Sequence, residues 1–232
     1  MATPSPDDVA ASIQAYLSSR GVPPSQIWLR TFMPTIKLNS PIVALQKTAL
    51  FRVLATDITT SLNKTSVQTL PGNVTNPAVK DQTLRGPITV QVLDVEDIGR
   101  SRWSQVEAIE AQERGETTKG REVIRVVPEE NASSAEPAAT SSGPHKLLLQ
   151  DASGTNMYAM ELTPVNGIGV QMSIGTKLVL RDITVARGMC LIETKAVEVI
   201  GGKVEAWDKK WRKERKARLK QMARLGGDGD QG

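Results

Sequence analysis

The chain contains 232 residues, enough for one large domain or two small ones. A single cysteine, Cys190, excludes an internal disulfide, and a single histidine, His145, leaves too few ligands for a zinc site. Residues 203–225 contain ten Lys or Arg and three Asp or Glu, which gives this segment a net charge of +7. Because the whole chain has a net charge of +4, the remaining residues carry a net charge of −3, and the basic character belongs to the tail alone.

Three short helices are predicted at the N-terminus, where apolar residues recur at helical spacing. They are expected over residues 7–20 with Asp7 as the cap, from Ser25 to Pro34, and from Ser40, as the cap, through Ile58. Short connections predict that they form a three-helix bundle over residues 1–62. We expect its core to contain the large side chains Trp28, Phe32 and Phe51.

Residues 63–85 are predicted to be a linker that lays a short edge segment against the next domain, because Pro and Gly interrupt any periodicity. The domain that follows is predicted over residues 86–202. Its first strand shows near-alternation at Ile88, Val90, Val92 (or Leu93) and Val95. The five strands are expected at 86–95, 146–150, 157–162, 177–185 and 189–200.

Five antiparallel segments with one bulky connection are typical of a small barrel, for which the OB-fold is the best-populated template. The predicted class is therefore α+β. It consists of an N-terminal three-helix bundle, an OB-fold β-barrel with a long insertion after its first strand, and a basic C-terminal helix followed by a flexible end at residues 203–232.

The insertion, residues 99–144, is far too long for a hairpin connection, and loops of this size in compact domains are usually functional or disordered. Trp103, Val106 and Ile109 fall at helical spacing, and residues 121–127 have a strand-like pattern. Two alternatives remain open: these residues bind a partner protein, or they pack back on the barrel. Residues 129–142 have no such pattern and are predicted to be disordered.

The basic tail is open to three interpretations. It is a nuclear-import signal, a helix that contacts nucleic-acid phosphates, or a solvated helix that packs Trp207 and Trp211 against the barrel. The candidate nucleic-acid or nuclear-import residues are Lys209, Lys210, Arg212, Lys213, Arg215 and Lys216.

No catalytic, cofactor or metal motif is found in the sequence, so an enzyme is not expected, nor is a small-molecule substrate, a cofactor or a metal. Asp94, Glu96 and Asp97 are clustered, but no second acidic cluster completes a divalent-metal site, and a solvated strand end with Asp97 helping the turn is the favoured interpretation. Cys190 is predicted to lie in the core.

No stretch resembles a targeting or membrane segment. The N-terminus lacks a basic region followed by an apolar core, and no apolar run approaches the roughly 18 residues of a membrane span. We therefore expect a soluble intracellular protein without membrane contact.

The order and spacing of several short motifs over residues 10–207 resemble the RecQ-mediated genome instability protein 1 family, in a short form of the kind found in fungi. The motifs are Ser40-Pro41-Ile42, Leu50 to Ile58, Leu70-Pro71, Gln91 to Ile98, Ser104-Gln105, Lys146 to Asp151 and Gly201 to Glu205.

The resemblance implies a non-catalytic nuclear subunit that binds a type IA topoisomerase (topoisomerase III), which works with a RecQ-family helicase to dissolve double Holliday junctions without crossovers. It further implies that the insertion reaches the DNA gate of the topoisomerase and favours the open state needed for decatenation. That role would fall on Trp103, Gln105, Val106, Ile109, Val123, Ile124 and Val126.

The alternative is an OB protein that binds single-stranded or junction DNA directly through its basic tail. OB barrels that bind single strands normally present aromatic side chains in a positive groove. The predicted strands offer only Tyr158, and the chain outside the tail is net negative. The residues themselves therefore favour protein binding, with at most a weak DNA contact.

Overall fold

A computed structural model describes residues 5–119, 122–125 and 143–227. The helices are α1 (Pro6–Ser19), α2 (Gln26–Phe32) followed by a 3₁₀ turn (Met33–Thr35), α3 (Ile42–Leu54), α4 (Ile58–Ser61), α5 (Arg102–Glu113) and α6 (Glu205–Gly227). The strands are β1 (Asp81–Leu84), β2 (Ile88–Asp97), β3 (Glu116–Lys119), β4 (Glu122–Arg125), β5 (His145–Asp151), β6 (Asn156–Glu161), β7 (Lys177–Leu180), β8 (Ile183–Ala186), β9 (Met189–Ile192) and β10 (Val197–Gly201).

Local capping sets the bounds of the N-terminal helices. Ser5 forms a capping box with Asp8, so α1 starts before the predicted Asp7, and the Ser25 side chain accepts the backbone N–H of Trp28 at the start of α2. The prediction of one helix from Ser40 through Ile58 is wrong. Pro41, not Ser40, occupies the N-cap of α3, which ends at Leu54, and Asp57 caps the separate helix α4.

The core of these helices differs in one aromatic residue from the prediction. Phe32 is buried and stacks on the half-buried Trp28 with ring centroids 4.9 Å apart. Phe51, however, is 72% exposed, and its predicted place in the core is wrong. The buried face of α3 is set by residues four apart, and Phe51 lies on the opposite side. That buried face consists of Leu45, Ala49 and Val53.

The sheet confirms the predicted OB-fold class. Among the described residues it has eight strands in the order β1-β8-β9-β6-β5-β2-β7-β10, curled into a half-barrel, and β6 pairs with β9 in parallel. A bulge between Val92 and Asp94 explains the ambiguous pattern of β2. The extra residue keeps both Val92 and Val95 buried, while Leu93 is only half-buried.

Two predicted strands are each divided in two. Residues 177–185 form β7 and β8, separated by a turn in which Asp182 has a φ of 47°. Residues 189–200 form β9 and β10, with a turn between them. Short polar interruptions, Arg181-Asp182 and Glu193 to Lys195, stand at these two turns, and the five-strand prediction was too coarse because it ran through them. The predicted linker supplies β1, the expected edge segment, which pairs with β8, and it also places Leu70 and Val74 in the barrel core.

A strand–helix joint connects the sheet to the N-terminal helices. The Gln91 side chain accepts the backbone N–H of Ile58 at 3.1 Å and donates to Asp57 Oδ1 at 2.7 Å. Lys177 has no exposed surface, and its Nζ donates to the carbonyl oxygens of Leu54 at 2.9 Å and Gly175 at 2.6 Å. Burial lowers the pKa of Lys177 to about 8, against the opposing effect of the Asp57 carboxylate.

Candidate partner-binding site

The insertion leaves and re-enters the sheet through a narrow neck formed by Asp97, Ile98, Gly99, Gly143 and Pro144. The N–H of Ile98 donates to the Pro144 carbonyl at 3.1 Å, and the N–H of Gly99 donates to Asp97 Oδ1 at 2.9 Å. A Cβ added at Gly143 would lie 2.6 Å from the Gly99 Cα, so the two chain segments approach too closely for side chains. The neck therefore fixes both ends of the insertion to each other.

Helix α5 follows the neck directly and is anchored at its first turn. Ser101 caps it by accepting the N–H of Ser104 at 3.1 Å. Gln105 is buried, and its Nε2 donates to the carbonyl oxygens of Asp97 at 2.8 Å and Arg100 at 3.1 Å. Val106 is also buried, and the hydrogen bond from Gln105 to the Asp97 carbonyl holds the start of α5 to the end of β2.

The other predicted insertion residues differ in their surroundings. Trp103 is 48% exposed on α5, and Ile109 is half-buried. Val123 and Ile124 lie in β4, which pairs antiparallel with β3, opposite Thr118 and Thr117 respectively. Val126 lies outside the described residues, as does the segment 129–142 that was predicted to be disordered. The described part of the insertion therefore both packs back on the sheet and exposes an aromatic side chain.

Helix α6 crosses the end of the sheet and is held there by its tryptophans and by Asp208. Trp211 is buried, and its Nε1 donates to Asp94 Oδ1 at 2.5 Å. The guanidinium groups of Arg215 and Arg218 lie 5.3 and 5.7 Å from the centre of its ring. Asp208 is buried and accepts the N–H of Ile174 at 2.9 Å. The interpretation that the tail packs a tryptophan against the barrel is confirmed.

Helices α5 and α6 also contact each other, and we call this set of polar pairs the α5–α6 contact. It has three members, which join Lys216 to Glu113, Lys220 to Glu110 at 2.5 Å, and Arg215 to Gln105 at 3.3 Å. The hydrogen bond from Lys220 lowers the pKa of Glu110, and burial lowers the pKa of Arg215. Sequence reasoning did not find this contact.

The six candidate nucleic-acid residues of α6 are divided between two surroundings. Arg212 pairs with Asp208 at 2.9 Å, Lys209 pairs with Glu205 at 3.6 Å, and Arg215 and Lys216 belong to the α5–α6 contact. Lys210 and Lys213 are exposed and form no ion pair among the described residues. Much of the positive charge of α6 therefore faces carboxylates of this same chain.

The acidic cluster at the end of β2 takes part in these contacts. Glu96 pairs with Arg102 at 2.9 Å, and Asp94 accepts from Trp211. Asp97 is buried, so the prediction of a solvated strand end is wrong at this residue, but its predicted part in the turn is confirmed, because its Oδ1 accepts the N–H of Gly99. Within residues 5–119, 122–125 and 143–227, no group of three His, Cys, Asp or Glu could hold a metal ion.

Two further candidates for chemistry are buried. Cys190 lies in the core as predicted, and burial raises its pKa to about 12. His145 is the first residue of β5, and its Nδ1 lies 2.6 Å from the buried carboxylate of Glu161.

No helix in the described ranges has both the length and the apolar character that crossing a bilayer requires.

Two family models match the chain. The model described as RMI1, N-terminal helical domain, matches residues 17–61, and the model described as RMI1, N-terminal OB-fold domain, matches residues 57–215. RecQ-mediated genome instability protein 1 of Schizosaccharomyces pombe is 28% identical over 140 residues, which cover 54% of this chain and 60% of that protein. The protein of the same name from Xenopus laevis is 28% identical over 181 residues, covering 77% of this chain and 30% of that protein. The matched part is thus less than two thirds of either relative.

Proposed function

Because the chain belongs to the RMI1 family, whose N-terminal OB-fold model matches residues 57–215, we propose that it is a nuclear, non-catalytic subunit of a complex between topoisomerase III and a RecQ-family helicase. The family name places the chain in RecQ-associated genome stability, and the family is an OB-fold scaffold type rather than a known enzyme family. In this proposal the chain binds the topoisomerase and stimulates decatenation and the dissolution of double Holliday junctions.

The observation that carries this proposal is the insertion held at the neck. Its first helix is anchored by the buried Gln105 and Val106, yet Trp103 remains half exposed on the same helix. Exposed tryptophans are common anchors of protein interfaces because they bury a large area with little loss of side-chain entropy. A loop of this kind changes a partner by binding one of its conformations more tightly, which here is the open gate of the topoisomerase.

The test is a decatenation assay with purified type IA topoisomerase and helicase. In one variant a short Gly/Ser linker replaces residues 100–142, so both neck glycines remain. We expect it to retain most binding in a pull-down and to lose the stimulation of decatenation. Stimulation equal to that of the wild type would refute the role of the insertion.

A point variant narrows the test to one side chain. Trp103→Ala should reduce stimulation about tenfold. Truncation of a tryptophan at the centre of an interface commonly weakens binding by at least this factor. Tyr158→Ala is the matched control, since Tyr158 is 49% exposed against 48% for Trp103 and lies on β6, outside the insertion. If both variants reduce stimulation equally, Trp103 has no special role.

The second candidate function is direct binding of single-stranded or junction DNA through the basic tail. It is supported by the exposed side chains of Lys210 and Lys213 and weakened by the intramolecular pairs of the other four candidate residues. DNA affinity of the free protein that falls steeply with salt and disappears in Lys210→Ala/Lys213→Ala would favour it.

A further inference from the structure

We propose that α6 is a positioning element for the insertion: its α5–α6 contact holds α5, and with it the β3–β4 hairpin, in one orientation relative to the sheet. This inference rests on the proposed function of the insertion and assigns the basic tail a role in it. The residues that position α5 are Lys216 and Lys220, through Glu113 and Glu110.

The first support is that α6 is itself fixed to the sheet. Trp211 is buried and bonded to Asp94, and Asp208 accepts the backbone N–H of Ile174. These contacts lie within the first two turns of α6, while Lys216 and Lys220 follow in the fourth and fifth turns. A helix held firmly at its start can support a second helix further along its length.

The second support is the arrangement of charge on the two helices. Glu110 and Glu113 are three residues apart on α5, and Lys216 and Lys220 are four residues apart on α6, so each pair occupies one face of its helix. The four side chains meet as two ion pairs, and Arg215 adds a hydrogen bond to the buried Gln105. Complementary charge therefore fixes both the register and the direction of α5 against α6.

The third support is that few residues of α5 are fully buried. Of its residues only Gln105 and Val106 are buried, and both lie in the first half of the helix. The second half, which leads to the β3–β4 hairpin, is held to α6 by the ion pairs of Glu110 and Glu113. Loss of these pairs should therefore leave the start of α5 in place and release its end.

The test uses charge reversal with rescue in the full chain. Lys216→Glu/Lys220→Glu places four carboxylates together and should release the end of α5. Adding Glu110→Lys/Glu113→Lys restores two ion pairs of opposite polarity and should restore the orientation. Lys195→Glu/Arg224→Glu is the matched control, since it changes the net charge equally at exposed side chains that form no pair with α5 in the described ranges.

The first measurement is amide hydrogen exchange of peptides from residues 102–113 in the protein alone. We expect exchange about tenfold faster in Lys216→Glu/Lys220→Glu, because two partly exposed pairs become repulsive. The control and the fourfold variant should exchange as the wild type does. Unchanged exchange in the reversed variant would overturn the proposal, whether or not the chain binds a topoisomerase.

The second measurement separates binding from positioning in the decatenation assay. The reversed variant should keep its half-saturating concentration within about twofold while its maximal stimulation falls about fivefold, and the fourfold variant should recover. Faster exchange with undiminished stimulation would overturn the positioning role. Absence of stimulation by the wild type itself would instead refute the proposed function, and the exchange experiment would still decide whether α6 holds α5.

Discussion

In the described part of the molecule two joints position helices, and they are built from different interactions. The strand–helix joint connects the N-terminal helices to the sheet, and the α5–α6 contact connects the first helix of the insertion to α6. The strand–helix joint uses buried groups, the Gln91 amide and the Lys177 ammonium, bonded to backbone atoms of the N-terminal helices. The α5–α6 contact uses ion pairs whose side chains remain about one third to one half exposed. Buried hydrogen bonds are costly to break, whereas exposed ion pairs are weak and screened by salt. The helices of the first joint should therefore behave as one folding unit with the sheet, and the insertion should move more freely.

The largest effect is expected where α6 itself is attached. Trp211→Ala removes a buried ring and a hydrogen bond, and it should lower the free energy of unfolding by about 3 kcal/mol in urea denaturation. Trp103→Ala is the same change at a half-exposed position and should cost less than about 1 kcal/mol. Equal losses in the two variants would mean that Trp211 does not fix α6 to the sheet. The α5–α6 contact would then have no fixed helix with which to hold α5.

The strand–helix joint is tested by Gln91→Leu. The substitution leaves the N–H of Ile58 without its buried acceptor, and we expect a loss of about 2 kcal/mol in the free energy of unfolding. Gln171→Leu makes the same change at an exposed side chain and should alter stability by less than about 0.5 kcal/mol. A neutral Gln91→Leu would show that apolar packing alone holds the N-terminal helices.

The same joint should respond to pH through Lys177. The pKa of its ammonium group is about 8 in the folded protein, against an ordinary value of 10.5 in the unfolded chain. Between these pH values the unfolded chain therefore binds more protons, and stability rises with pH. We expect the wild type to gain about 3 kcal/mol relative to Lys177→Met between about pH 7.5 and about pH 10.5, measured by urea denaturation at each pH. If the free energy of unfolding of the wild type fell relative to Lys177→Met as the pH rose, the two carbonyl groups would stabilise the charged ammonium more than burial destabilises it.

The smallest effect separates the two joints by salt. Raising NaCl from about 0.1 M to about 1 M shortens the Debye length from about 10 Å to about 3 Å and should accelerate exchange in α5 about threefold. Exchange of the Ile58 amide, which is bonded to the buried Gln91 side chain, should not change. Equal acceleration at both places would remove the distinction between the joints.

Local signals in the sequence predicted much of the fold. Short apolar runs located β5 and β6 to within one residue, helical spacing of apolar residues located α1, and Ser25, predicted as the start of α2, is its N-cap. The break between α3 and α4 was missed because Leu54 and Ile58 fit one apolar stripe, although Asp57 is a good helix cap. The turn at Asp182 was missed although Arg181 and Asp182 interrupt the apolar residues there, because a single polar pair can also lie on the exposed face of a continuous strand.

The two joints could not be predicted, because each depends on residues far apart in the chain. Lys177 begins an apolar strand, where a lysine ordinarily marks an exposed end, and only the folded chain brings it to the carbonyl of Leu54. Lys216 and Glu113 are about a hundred residues apart. Acidic residues on α5 and basic residues on α6 were the one available signal, and charge alone does not specify which helices meet.

The neck has a consequence for how this sheet tolerates change. Because Gly99 and Gly143 close the ladder between β2 and β5 as a tight turn would, the hairpin is complete without the residues between them. The intervening segment is therefore exchangeable, and a foreign sequence placed between these two glycines would leave the register of β2 with β5 unchanged. The same fold can therefore be fitted to a different partner by exchanging one contiguous stretch of the polypeptide.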